Sequence, residues 1–382
     1  MTVFSGVVSL AQISIEERLN ALESRLQMLA EENADLKRQL GLAPKPTPAP
    51  VQAASNEGKL RVGGFLQGQA EFGGASDPRW AGVNDRFFFR RARIFVSGSF
   101  AEHFDFKAEL DLQGNTLSAG TGHRAQANEI FVNWHRYPAA NVRFGQLKTA
   151  FGGDQLMSDT KMLTVERYLG SDRLTDGRQL AVAMLGEMFD KKLSYYVVAG
   201  NGNGANVSAN DNENFQYSAR VTATPFSSQE SKLTVAANGL WTEDAAVSRS
   251  GLGFSGNMFS GKRSGIGADA SFVRGPLTIA GEWLEMDYRP TNAVPDAQFD
   301  ARAWKLLAAY FFVPQKLQGV VRRESFDPNR QRGGDVIDSW LFGLNYYLKG
   351  DDLKLQLNYL RGDNPGTPYD GGRLLTRVQV MF

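Results

Sequence analysis

Arg373-Leu374-Leu375-Thr376-Arg377-Val378-Gln379-Val380-Met381-Phe382 closes the chain, and the parity of this stretch decides the fold class. Leu374, Val378, Val380 and Phe382 share one parity, while Arg373, Arg377 and Gln379 share the other. Successive side chains of a β-strand point to opposite faces, so this segment carries one apolar face and one cationic face. A membrane β-barrel needs that combination, because lipid covers the outer face and a watery lumen solvates the inner one. The stretch predicts an all-β, transmembrane, antiparallel up-and-down barrel.

Period-2 patterning recurs towards the N-terminus. In 103–113, Phe104, Phe106, Ala108, Leu110 and Leu112 alternate with Asp105, Lys107, Glu109, Asp111 and Gln113. Segments 192–200, 215–224, 232–242, 338–348 and 353–360 repeat the scheme, which a soluble sandwich would also show. Connection lengths discriminate. Short connections at 136–140, 226–231, 274–276, 313–315 and 349–352 alternate with long polar ones at 73–85, 114–123, 200–214, 243–262, 289–300, 327–335 and 361–372. Membrane barrels have short periplasmic turns and longer external loops, and the spacing gives about sixteen strands. An even count puts both barrel ends on the short-turn side.

Composition agrees. The 42 basic and 41 acidic residues balance, which argues against a nucleic-acid partner held by bulk charge. Forty glycines, 25 phenylalanines and 11 tyrosines suit strands, turns and aromatic belts. No apolar run is long enough for a transmembrane helix. The absence of cysteine excludes disulfides, thiolate catalysis and cysteine metal sites. His103, His123 and His135 are scattered, so no metal site or cofactor is expected. No nucleophile elbow is present, and Gly200-Asn-Gly-Asn-Gly204 lacks a following Lys and helix, so an enzyme is not expected.

The N-terminal part reads differently. Residues 1–12 end Ser9-Leu10-Ala11, like a signal-peptidase site, and read as the remnant of a signal peptide. Over 13–41, Ile15, Leu19, Leu22, Leu26, Leu29, Asn33, Leu36 and Leu40 recur four and three apart, a heptad seam that predicts a coiled coil. Asn33 takes an a position, where a buried amide fixes register. Residues 42–58 are a Pro/Ala-rich linker, extended and semi-rigid, so the helix finds its partners in other subunits. Residues 59–382 form the barrel.

One connection breaks the length rule. Thr149–Gly177 is too long for a simple loop and partly helical in pattern, with a short amphipathic turn expected over 162–167. It is the natural constriction candidate. Lys161, Arg167 and Arg173 lie on it and Arg178 at its exit, together with Asp154, Asp159, Glu166, Asp172 and Asp176. Cations in a narrow lumen favour anions, whereas mixed charge gives a transverse field and weak selectivity.

Phe89-Arg-Arg-Ala-Arg-Ile-Phe-Val-Ser-Gly98, Phe104-Asp-Phe-Lys-Ala-Glu-Leu-Asp111, Val142-Arg-Phe-Gly-Gln-Leu-Lys-Thr-Ala-Phe-Gly152 with Glu166-Arg167, and the closing strands resemble the phosphate-selective porin O and P family over 59–382. The terminal Phe382 is similar to the ending of bacterial outer-membrane proteins. The resemblance implies a trimeric sixteen-stranded barrel in the outer membrane, in contact with lipid and lipopolysaccharide. It also implies passage of phosphate or other small anions along a lumen of Arg and Lys. Parity places Arg61, Arg93, Lys107, Arg143, Arg220, Lys305, Arg322, Lys354, Arg373 and Arg377 inwards; each alone reads as a solvated or acid-paired lumenal charge, and together they read as an anion path. Lys148, beside the loop and within the matching stretch, carries most weight. The expected function is passive diffusion of small anions, with the coiled coil in the periplasm. The alternatives are a general porin, or a barrel that the coiled coil tethers to the cell wall.

Overall fold

The computed structural model describes residues 60–113, 124–252, 254, 257–291 and 298–382, together with Ser24, Arg25, Met28, Leu29 and Glu32. These last five are helical and exposed. The expected signal remnant, the linker and the seam residues Leu19, Leu22, Leu26, Asn33 and Leu36 lie outside the described residues.

Sixteen strands follow one another: β1 (Arg61–Gly73), β2 (Arg86–Phe100), β3 (Phe104–Asp111), β4 (Gln126–Tyr137), β5 (Ala140–Lys148), β6 (Arg178–Met188), β7 (Leu193–Gly200) and β8 (Gln216–Ser227). The second half comprises β9 (Ser231–Ser248), β10 (Met258–Arg274), β11 (Leu277–Pro290), β12 (Phe299–Val313), β13 (Leu317–Asp327), β14 (Ile337–Lys349), β15 (Leu353–Gly362) and β16 (Gly372–Met381). Every strand pairs antiparallel with its sequence neighbours, and β16 closes the sheet on β1 in a register from Phe65↔Met381 to Gly73↔Arg373. Phe382 completes the seam through two backbone hydrogen bonds with Gly64, 3.0 and 3.1 Å. Closure removes sheet edges, so no strand-edge backbone group is left to face lipid.

Alternation sorts the side chains as expected. On β14, Trp340, Phe342, Leu344, Tyr346 and Leu348 are exposed on the outer face. On β16, Arg373, Arg377 and Gln379 are buried inside.

Two expectations need correction. The long connection expected at 243–262 is mostly strand, since β9 continues to Ser248 and β10 begins at Met258. Within it Asp244 is buried, bonded at 3.0 Å to Arg263 just beyond the stretch. Residues 162–168 are not helical; the helical turns of this connection are Gly153–Leu156, Asp159–Lys161 and Leu169–Leu174. Wall side chains take the backbone groups that a helix would have paired. Asn358 accepts from Val165 N–H at 2.7 Å, Asn345 donates to the Leu163 carbonyl at 2.9 Å, and Arg322 donates to that of Glu166 at 2.8 Å.

Candidate functional site

The β5–β6 connection, 149–177, folds into the barrel and lies along one side of it. From its start it meets β8 (Ala150 N–H to Ser218, 2.9 Å), β9 (Gly152 N–H to Asn238, 3.2 Å) and β11 (Asp154 N–H to Glu282, 3.1 Å). Its middle meets β1, β15 and β16: Gln67 and Gln379 donate to the carbonyls of Asp159 and Thr160, and Lys354 donates to those of Thr160 (2.7 Å) and Met162 (3.2 Å). Its end meets β13 through Leu169 N–H and Glu324 at 3.1 Å. Between the loop and β9–β13 lies an apolar core containing Phe151, Tyr168, Leu174, Leu284, Met286 and Phe326. That half of the lumen is filled.

Two buried carboxylates fix the loop. Asp159 faces Arg167 at 2.6 Å, Arg93 at 2.7 Å and Arg91 at 3.2 Å. Glu166 faces Arg377 at 2.6 Å and Arg90 at 2.9 Å. Burial alone would raise both carboxyls, but the guanidinium groups outweigh it. Arg91, Arg167 and Arg93 hold Asp159 well below the ordinary carboxylate range, and Arg90, Arg377 and Arg91 do the same to Glu166. Asp176, buried against Arg249 at 2.6 Å and Arg263 at 2.9 Å, is held at about 2, burial again being the opposing influence.

Arg90 is the one of these that strand parity misses. Gln67 pairs with Arg91 and Gly68 with Phe89, so Arg90 is the extra residue of a β-bulge. A bulge re-aims a side chain, and here it turns two consecutive arginines towards the loop. The only sign of it in the sequence is an Arg-Arg pair, 90–91, inside an otherwise alternating strand.

Open space remains opposite, beside β2–β6. A chamber of about 400 Å³ towards the short-turn end is lined by residues including Arg93, Lys107, Arg143, Glu109 and Glu129. A second, of about 210 Å³ towards the long-loop end, is lined by residues including Arg90, Arg91, Arg167, Asp172 and Asp176. Lys148, Asp159 and Arg178 line both, so the chambers meet at this trio. The arrangement is a pair of adjoining open chambers between wall and loop.

The model of the phosphate-selective porin O and P family matches residues 66–382. The chain belongs to this family. Among solved structures, this porin is similar to the outer-membrane channel DcaP of Acinetobacter baumannii, at TM-score 0.60 and 13% identity over 85% of this chain and 97% of that one. It is similar to an anion-selective porin from Comamonas acidovorans, at TM-score 0.61 and 12% identity over 85% and 100%. It also resembles the trimer form of OmpT of Vibrio cholerae, at TM-score 0.56 and 13% identity over 86% and 100%. No curated protein matches it in sequence. It is an outer-membrane porin with a closed barrel.

The expected path residues of this porin fall into four groups. Arg322 and Arg377 are buried behind the loop, Arg322 bonded to Thr164 (2.9 Å) and Glu324 (2.6 Å), Arg377 to Glu166. Arg167 is held by Asp159, Arg220 by Asp269 at 2.5 Å, and Arg173 by Ser250 of the β9–β10 connection. Lys161 is exposed on its helical turn. Lys107, Arg143, Lys148 and Arg178 sit on the chamber walls opposite the loop anchors. Lys107 faces Glu109 (2.8 Å) and Glu129 (3.0 Å), and Arg178 faces Glu129 at 3.1 Å. Lys148 donates to three loop carbonyls, Gln155 (2.8 Å), Met157 (3.1 Å) and Leu156 (3.3 Å), so it clasps the loop as well as charging the pinch point. Arg143 has no carboxylate within ion-pair distance among the described residues; it contacts Asn133 at 3.4 Å and lies 4.3 Å over the Phe131 ring.

Proposed function

We propose that this porin passes small anions, phosphate among them, by passive diffusion through the pinch between the β5–β6 loop and β2–β6. The observation that carries this reading is the charge of the two chambers. Eight basic side chains line them against five acidic ones, with Lys148 and Arg178 at the junction. In a narrow channel of low effective dielectric such an excess raises local anion concentration, while each contact stays weak enough for release. The likeness to the anion-selective Comamonas porin supports the reading.

Planar-bilayer reversal potentials in a potassium chloride gradient test it. The expected sign is that of chloride preference, with chloride current falling as phosphate is added. A reversal potential near zero with no effect of phosphate would leave a general porin. A closed barrel that binds cell wall through residues 13–42 would leave the tether.

The porin also assembles as a trimer through its N-terminal coiled coil, which is periplasmic. Leu29, a d position of the heptad seam, is 56% exposed in the single chain, and the OmpT trimer offers a precedent in this fold. A peptide of residues 13–42 should associate and lose association with Leu29→Asp; a peptide that stays monomeric would defeat this assignment.

A further inference from the structure

We infer that the larger chamber is a binding site for aromatic carboxylates, held by Arg143 and an apolar wall. This deepens the anion-channel reading and rests on it.

The chamber's charges do not all face it equally. Arg93 is neutralised by Asp111 at 2.8 Å and Asp159 at 2.7 Å, Lys107 and Arg178 share Glu129, and the ammonium of Lys148 is taken by loop carbonyls. Arg143 differs. Its Nε makes a long contact to Asn133, and neither terminal nitrogen has a hydrogen-bond partner among the described residues. A guanidinium fork presents two parallel N–H donors, the geometry that a carboxylate accepts bidentately. The Phe131 face, 4.3 Å from the guanidinium carbon, holds the fork in one orientation.

The rest of the wall is unlike a site for an inorganic ion. Phe65, Leu147, Leu156, Leu185 and Tyr196 line the same chamber. Tyr196 turns its hydroxyl away from an incoming ligand by donating to the Lys148 carbonyl at 2.7 Å. A hydrated phosphate gains nothing from these surfaces, whereas a ring attached to a carboxylate gains from each of them. At about 400 Å³ the chamber also falls in the size range of small-molecule sites, roughly 300–1,000 Å³. A carboxylate on Arg143 therefore has apolar surface within reach of its ring.

The test is single-channel chloride current through the full-length porin, titrated with benzoate, acetate or phosphate. Benzoate should reduce the current saturably, at a half-blocking concentration about tenfold below that of acetate, the factor expected from burying a ring. Arg143→Gln should abolish the saturable block and Arg143→Lys should weaken it, because lysine keeps the charge and loses the fork. Arg220→Gln, whose charge is tied to Asp269 outside the chamber, should leave the block in place. Equal block by all three anions, or benzoate block that survives Arg143→Gln, would overturn the site. The reversal potential in chloride alone separates the two readings: chloride preference without benzoate block sinks only this site, and no chloride preference sinks the channel assignment itself.

Discussion

The wall from β11 through β16 to β1 and the wall from β3 to β6 are made of the same alternating strands, yet their lumenal cations have opposite fates. On the first, Lys305, Arg322, Lys354 and Arg377 are buried against the inserted loop, bonded to Asp154, Glu166 or backbone carbonyls. On the second, Lys107, Arg143 and Arg178 line open space. The loop and the apolar core occupy the first wall's side of the lumen, and the path keeps to the second. Alternation thus determines that a cation points inwards, but the loop determines whether an ion can meet it.

The largest effect that tests this contrast is on the loop anchor. Asp159→Asn leaves Arg91, Arg93 and Arg167 buried around a neutral group, and removing one partner of a buried ion cluster typically costs about 3–5 kcal/mol. The heat stability of the barrel in detergent should fall, single-channel conductance should rise as the loop loosens, and chloride preference should increase. Acid should act in the same way. Because the folded pKa values of Asp159 and Glu166 are depressed, their contribution is complete above the unfolded values of about 4 and is lost as pH falls through the folded ones. The loosening that these two anchors oppose should therefore set in only below about pH 4. An acid-insensitive conductance, or an Asp159→Asn channel indistinguishable from the parent, would show that these anchors do not hold the loop.

Much of this was legible in the sequence, for a physical reason. Lipid and water impose opposite demands on the two faces of every strand, so Leu374 to Phe382 and Phe104 to Leu112 expose the fold through parity alone. Loop lengths add orientation, and the Thr149–Gly177 connection stands out by its length. The site was less legible because it depends on pairings far apart in sequence. Arg377 reads as a path residue, and only the folded loop brings Glu166 to it at 2.6 Å. Arg90 has the parity of an outward residue until the bulge turns it. The polar run 243–262 reads as a loop because lumen-facing strand residues and loop residues share a composition. Arg143 shows the converse: its significance is that no carboxylate pairs with it among the described residues, which no local pattern records.

The smallest effect probes the other wall. Arg178 borders both chambers, and its partner Glu129 keeps Lys107 at 3.0 Å when the guanidinium is removed. Arg178→Gln therefore strands no acid. Its stability cost should be about that of one net hydrogen bond, roughly 1 kcal/mol, several times less than at Asp159. The reversal potential should nonetheless move towards zero, because one charge has left the point where the path is narrowest. If the contrast between the walls is right, the two positions separate a loss of stability from a change of selectivity. Asp159 lies between loop and path and moves both, and Arg178 lies on the path alone and moves chiefly selectivity. A variant at Arg178 as unstable as that at Asp159, with its chloride preference intact, would mean that the open wall is also a loop anchor and that the ions pass elsewhere.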